Sequence, residues 1–249
     1  MKNILAVLIL LLSLSSKAQI ANFSKQGFFF SPNYAVQIPQ ADLKERFRTF
    51  SSIGLGVIYK TKANLTFGID YDWYFGNRLK ESGTFSSITL DSGQIIDSDG
   101  NFSIVRLNVE GNYLTANVGY LINIPKDEPN SGILVQLGFG WMQHRIDVVS
   151  SQNKIPQLNG EYEKGYDKLT YGFAMKQFVG YQHLVNRNHF HFRVGVEFNE
   201  GFTQGRRTWD FNANKSGLDK RFDGTVAIKA GVVLPVFTKS KSDEEFFID

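Results

Sequence analysis

The chain has 249 residues, with 27 Lys+Arg against 24 Asp+Glu, a formal net charge of +3, no cysteine, 23 glycines and 14% aromatics. That much apolar and aromatic material argues against disorder, and the lack of Cys rules out disulfide scaffolds, thiolate metal sites and cysteine nucleophiles. Near-balanced charge gives no nucleic-acid footprint, and a mean hydropathy of −0.21 is too low for a helical membrane bundle but does not exclude a membrane β-barrel, whose strands spend every second residue on a polar interior.

Residues 1–18 read as a secretory signal peptide. Lys2 supplies the positive start, Ile4–Leu12 the apolar run, and Ser16 and Ala18 the small residues before a cut. Nine apolar residues fall short of the roughly 20 that span a bilayer as a helix. The mature chain is expected to begin at Gln19 and to be exported.

Beyond it, apolar residues recur with period two, the signature of β-strands with one apolar face. Eight strands are expected, at about 26–38, 48–60, 64–76, 103–124, 132–145, 169–184, 189–201 and 221–237. In the third, Leu65, Phe67, Ile69, Tyr71, Trp73 and Phe75 oppose Thr66, Gly68, Asp70, Asp72 and Tyr74. In the fifth, Ile133, Val135, Leu137, Phe139 and Trp141 oppose Gln136, Gly138, Gly140 and Met142. The seventh sets Phe190, Phe192, Val194, Val196 and Phe198 against His191, Arg193, Gly195, Glu197 and Asn199. The eighth sets Phe222, Val226, Ile228, Ala230, Val232 and Leu234 against Asp223, Thr225, Ala227, Lys229 and Gly231.

Two strands read less regularly. In 169–184, Gln177 falls on the apolar face and Phe178 on the polar one, which predicts a bulge. The segment 103–124, with Glu110-Gly111-Asn112 inside it, is too long for a membrane crossing, so its first half is expected to extend outward and pair with the preceding strand.

A soluble sandwich turns the apolar face to a core; an outer-membrane barrel turns it to lipid. The expected strands exceed the usual soluble length of about 5–6 residues. Aromatics gather near strand ends, at Tyr71, Trp73, Tyr74, Phe75, Trp141, Tyr171 and Tyr181, as interface girdles. The connections alternate: 61–63, 125–131 and 185–188 are short, 77–102, 146–168 and 202–220 are long, and 39–47 is intermediate. Short turns at one end and long loops at the other fit a barrel with periplasmic turns and extracellular loops. The fold expected is therefore all-β, an eight-stranded antiparallel transmembrane barrel over 19–237, with 238–249 as a periplasmic tail.

Taken together, the chain resembles the small eight-stranded outer-membrane β-barrel proteins of Gram-negative bacteria. The glycine-interleaved strands Ile53-Gly54-Leu55-Gly56-Val57 and Leu137-Gly138-Phe139-Gly140-Trp141, and Gln19 directly after a small residue, resemble those of Bacteroidota barrels. The family's usual terminal aromatic is missing here, because the last strand ends near Phe237 and Thr238–Asp249 follow.

Three sets of residues are candidates for a role. Asp70, Asp72, Lys176, His191, Arg193, Glu197, Asp223 and Lys229 fall on polar faces, and charges inside a narrow barrel must pair. They predict a structural charge network, with a conducting path as the sharper alternative. His144 lies near the outer rim with Asp147 and Ser150 close in sequence, and His189 and His191 share a face, but no catalytic or metal constellation is complete. The long loops carry Glu161, Tyr162, Tyr166, Arg206, Arg207 and Trp209, suited to anionic sugar, lipopolysaccharide phosphate or a partner carboxylate. Pairing with Glu161, Glu163 and Asp167 to order the loops is the other reading of those arginines. Asp91, Asp97 and Asp99 suit local turns, since Asp97-Ser98-Asp99-Gly100-Asn101 lacks the twelfth-position Glu of a calcium loop. The expectation is a non-enzymatic outer-membrane protein without a cofactor, with outer-membrane lipid, lipopolysaccharide and an envelope or secretion protein as partners. A rim enzyme acting on lipid or peptide, a narrow channel and a secreted sandwich are its rivals.

Overall fold

The period-two segments form strands, and the strands close on themselves. The computed structural model describes residues 26–237 except 78, 81–84, 86–94, 104, 125–127, 151–154, 159 and 186–189. The expected signal segment and tail, with Asp91 and His189, lie outside the described residues.

In chain order the strands are β1 (Gly27–Ala41), β2 (Phe50–Lys60), β3 (Leu65–Gly76), β4 (Ile95–Ile96), β5 (Phe102–Ser103), β6 (Val105–Asn123), β7 (Gly132–Ser150), β8 (Thr170–His183), β9 (Phe192–Gly205), β10 (Arg207–Asp210), β11 (Lys215–Gly217), β12 (Lys220–Val232) and β13 (Leu234–Phe237). Sequential neighbours β1-β2-β3-β6-β7-β8-β9-β12 pair antiparallel, and β1 pairs with both β12 and β13 to close the ring. β12 and β13 are one wall position interrupted at Val233, whose N–H bonds to the carbonyl of His191 at 2.9 Å. The wall thus has the eight positions expected, and its last strand ends at Phe237.

The register fixes the tilt. A row of paired residues starts at Gln40 on β1 and passes through Gly224, Glu200, Met175, Phe139, Ala116, Ile69 and Val57. It returns to β1 at Phe30, ten residues along from where it began. Such a stagger goes with strands tilted by roughly 35–45° around an interior that side chains fill.

Polarity is inverted relative to a soluble fold. Ile53, Leu55, Ile69, Phe173 and Ile228 face outward at half exposure or more, whereas Asp72, Lys176, Glu197 and Asp223 are within 1% of full burial. The inside is layered. At the loop end Leu43, Phe47, Phe50, Tyr74, Val109, Tyr113, Met142, Ile146 and Ala174 form one apolar cluster. Toward the turn end Ile58, Leu121, Leu134 and Phe178 form another, with Phe29, Leu184 and Val233 below them. The charged residues lie between.

Several expectations need correction. β8 pairs with β7 and β9 without a register shift, so there is no bulge at Gln177. Gln177 is exposed on the outer wall, and Phe178 points inward and is 2% exposed, filling the space left by Gly180 and Gly195. β6 does extend outward, but its extension pairs with the following strand: Val105 faces Ser150 of β7, while pairing with β3 begins only at Val109. Two loops accordingly start later than expected, because 146–150 and 202–205 are strand. The connection 39–47 holds a one-turn helix, α1 (Leu43–Arg46), whose Leu43 is buried in the loop-end cluster. Tyr74 belongs to the interior, stacked on Tyr113 with ring centroids 6.2 Å apart, and not to the outer girdle.

Candidate functional site

The interior charge layer is built by register. β3 contributes Asp70 and Asp72; nearly opposite in the ring, β8, β9 and β12 contribute Lys176, Glu197 with Arg193, and Lys229. Lys229 Nζ donates to Asp72 Oδ2 and lies as close to Glu197 Oε2, both at 2.8 Å. Lys176 is bonded to Asp70 and lies 3.9 Å from Glu197. Arg193 donates through Nε and Nη2 to Gln182 Oε1, at 3.3 and 2.7 Å. Three carboxylates therefore share a layer with three cations, and the ion pairs staple one wall to the other.

Neutral polar groups add hydrogen bonds to two of the carboxylates, while Asp72 Oδ1 is buried without a hydrogen-bond partner. Asn117 Nδ2 donates to Asp70 Oδ2 at 2.8 Å. Asn199 Nδ2 donates to Glu197 Oε1 and to Thr225 Oγ1, both at 3.1 Å, and Thr225 donates onward to Gln37 Oε1 at 2.8 Å. Two glycines of β2 make the layer sterically feasible. A Cβ on Gly54 would lie 2.1 Å from Asp72 Oδ1, and one on Gly56 2.2 Å from Asp70 Oδ1. The glycine interleaving noted in the sequence thus clears room for buried carboxylates. A cavity of about 20 Å³ bordered by Asp70, Arg193, Glu197 and Lys229 is large enough for one water molecule.

Two residues expected in this network sit elsewhere. Asp223 lies at the loop end and accepts from His144 Nε2 at 2.9 Å, Thr203 Oγ1 at 2.5 Å and Arg221 Nη2 at 3.1 Å. His191 is buried just before β9, near the turn end. The sequence offered Asp147 and Ser150 as neighbours of His144. In the fold Asp147 is bonded to Asn108 Nδ2 of the adjacent strand at 3.3 Å, and His144 is 1% exposed, edge-on to Phe47. The pairing of His144 with Asp223, 79 residues away, had no sequence signal because it depends on the ring. Among the described residues no group of three or more His, Asp and Glu is arranged to hold a metal.

α1 caps this end of the barrel. Phe222 N donates to Asp42 Oδ2 at 2.8 Å and Arg221 Nη2 to the Asp42 carbonyl at 2.7 Å. Arg46 Nη1 reaches the Lys168 carbonyl at 3.1 Å and Thr170 Oγ1 at 2.8 Å.

The candidate loop residues divide by what they touch. Tyr166 is buried between Phe85 and Phe211, each 5.3 Å away by ring centroid, so it packs the core of the loops and is not available to a ligand. Arg207 Nε donates to Asp167 Oδ1 at 2.8 Å and Nη2 bonds the other oxygen; these bonds hold the guanidinium pKa above its ordinary value. Lys168 lies 3.3 Å from Asp210 Oδ2, tying the β10–β11 hairpin to the base of the preceding loop. Glu161 is paired with Lys164 on an exposed turn, and Tyr162 and Trp209 are exposed. Arg206 is exposed and lies over the Tyr171 ring, 4.1 Å from its centroid. Asp97 Oδ1 accepts from the backbone N–H of Asp99 and Asn101, at 3.0 and 2.8 Å, as a local turn.

No family model matches the sequence, and no curated protein matches it. Among solved structures the chain is similar to Ail, the attachment invasion locus protein of Yersinia pestis, in complex with the heparin analogue sucrose octasulfate. There the identity is 12% and the TM-score 0.42, over 84% of this chain and 99% of that one. It is also similar to Neisserial surface protein A, with 14% identity and a TM-score of 0.40 over 83% and 96% of the two chains. A third similar structure is the Escherichia coli outer membrane protein W, at 11% identity and a TM-score of 0.34 over 82% and 97%.

Proposed function

We propose that this protein is an integral outer-membrane barrel that works as a non-enzymatic binding or structural protein, presenting its long loops at the cell surface. One observation carries the reading: the outward face of the closed ring is apolar while the charges are inside. In water that arrangement would expose a continuous apolar wall; in lipid it is the stable one. The loops support a binding role because they have a core of their own, formed by Phe85, Ile95, Ile155, Leu158 and Tyr166, which gives exposed side chains a fixed frame. Export by the segment 1–18 and a periplasmic tail at 238–249 belong to the same reading, as does the Bacteroidota likeness of the glycine-interleaved strands.

A narrow conducting channel is a less favourable reading. The charge layer is internally paired and lies between two apolar clusters. Heat-modifiable migration tests the proposal. The unboiled protein is expected in the outer-membrane fraction as a faster-migrating species that shifts on boiling, and recovery from the soluble periplasmic fraction without such a shift would overturn it.

A further inference from the structure

The outer wall formed by β8, β9 and β12 carries two ordered rows where the apolar band ends. The lower row is aromatic: Phe222 pairs with Phe202, and Phe202 with Phe173. All three are exposed, at 42%, 55% and 50%. Directly above it the same three strands place Lys220, Gln204 and Tyr171 side by side. Arg206 follows Gln204 on the outward face, stacked on Tyr171, with Nη2 3.4 Å from the Tyr171 carbonyl. Stacking fixes the guanidinium plane against the wall while its outer edge stays in solvent.

Charge distinguishes this arc from the rest of the rim. On β6 and β7 the outward Arg145 is already bonded to Glu110 at 2.6 Å. Among the described residues, no carboxylate is paired with Lys220 or Arg206. Within β8, β9 and β12 the single outward carboxylate is Glu200, below the phenylalanine row and about 13 Å along the strand from Gln204. Two more border the arc: Asp42, which accepts from Phe222 N at 2.8 Å, and Asp219, which is paired with Lys215 at 2.7 Å.

We infer that Lys220, Arg206, Gln204 and Tyr171 form a docking surface for the phosphate groups of the outer-leaflet glycolipid, lipopolysaccharide. The inference rests on the membrane reading above and adds a partner to it. Acyl chains lie against the phenylalanine row, which sets the headgroup at the height of the row above. There two cations meet the phosphates, and the Tyr171 ring holds Arg206 in place; Gln204 Nε2 donates one hydrogen to the Leu218 carbonyl at 3.0 Å and turns its second to a phosphate oxygen.

The full chain, folded in detergent micelles, tests this with three probes: purified lipopolysaccharide, the same material after chemical dephosphorylation, and heparin. The double variant Arg206→Gln with Lys220→Gln is expected to bind lipopolysaccharide roughly fivefold to tenfold more weakly than the unaltered chain. Arg145→Gln should bind as the unaltered chain does. Dephosphorylated lipopolysaccharide should bind weakly to both and erase the difference between them. Heat-modifiable migration of every variant is read alongside, so that failure of the barrel is separated from failure of the docking surface. Equal retention of lipopolysaccharide by the double variant, or equal binding of the dephosphorylated lipid, would overturn the inference. So would heparin binding of the same strength lost through the same two substitutions, because the surface would then be a glycan site independent of lipid.

Discussion

At the scale of single residues, burial of charge is the dominant physical problem of this molecule. Lys229 meets Asp72 and Glu197 at once, so its removal leaves two buried carboxylates short of a cation. Lys229→Met is expected to cost about 3–5 kcal/mol, since breaking a buried pair costs far more than the pair contributes against an apolar replacement. Urea unfolding in lipid vesicles would show it. Adding Asp72→Asn should recover part of the loss, and simple addition of the two losses would show that the residues do not act as a pair. The polar-face alternation in the sequence was enough to place Asp70, Asp72, Lys176, Arg193, Glu197 and Lys229 in one set. Which carboxylate meets which cation was not legible, because β3 and β9 meet only across a closed ring. Asp223 shows the same limit: its face was readable from period two, but its height, and so its partner His144, follows from the stagger.

Among elements, β8 is the instructive case. Its sequence places Phe178 on the polar face, and treating that face as uniformly polar predicts a bulge. The fold keeps regular pairing and uses the aromatic as the plug of the turn-end apolar layer, above Ile58, Leu121 and Leu134. Glycines of β8 and β9 make this work: a Cβ on Gly180 or Gly195 would come within 2.5 or 2.7 Å of Phe178 Cζ. Phe178→Ala is therefore expected to destabilise by about 3–5 kcal/mol, through lost burial and the cavity it leaves. A midpoint unchanged in denaturant titration would mean the layer does not seal the barrel. The outward extension of β6 was visible from its length, but its partner was not. The residues that continue the ladder belong to β7, whose own extension carries Ile146 and Val148, which pack with Leu43, Phe47 and Leu107 under the loops. The helix α1 left no periodic trace, because one turn is too short to have a period.

At the scale of the whole molecule, the inverted polarity sets what the protein tolerates. Ile69 lies outward near the middle of β3 with 58% of its surface exposed, a substitution-tolerant position in a soluble protein. Against lipid, Ile69→Arg is expected to cost about 2–4 kcal/mol. Unfolding free energies of the protein in vesicles check it, and a neutral result would put the outer wall in water. Alternating loop lengths made legible, before the register was known, which connections gather at each end of the barrel. The proposed docking arc on β8, β9 and β12 was only half legible: Arg206 stood out as a basic residue among aromatics, but its rows exist only once three strands are aligned. The absence of cysteine allows a direct test of the central claim, that a barrel crosses the outer membrane with its long loops outside. Tyr162→Cys places a thiol on an exposed loop, and Ala63→Cys places one on the exposed turn between β2 and β3 at the opposite end. Intact cells treated with a bulky, membrane-impermeant maleimide should label position 162 and leave position 63 unlabelled until the membrane is broken. Labelling of position 63 on intact cells, or protection of position 162, would contradict the account.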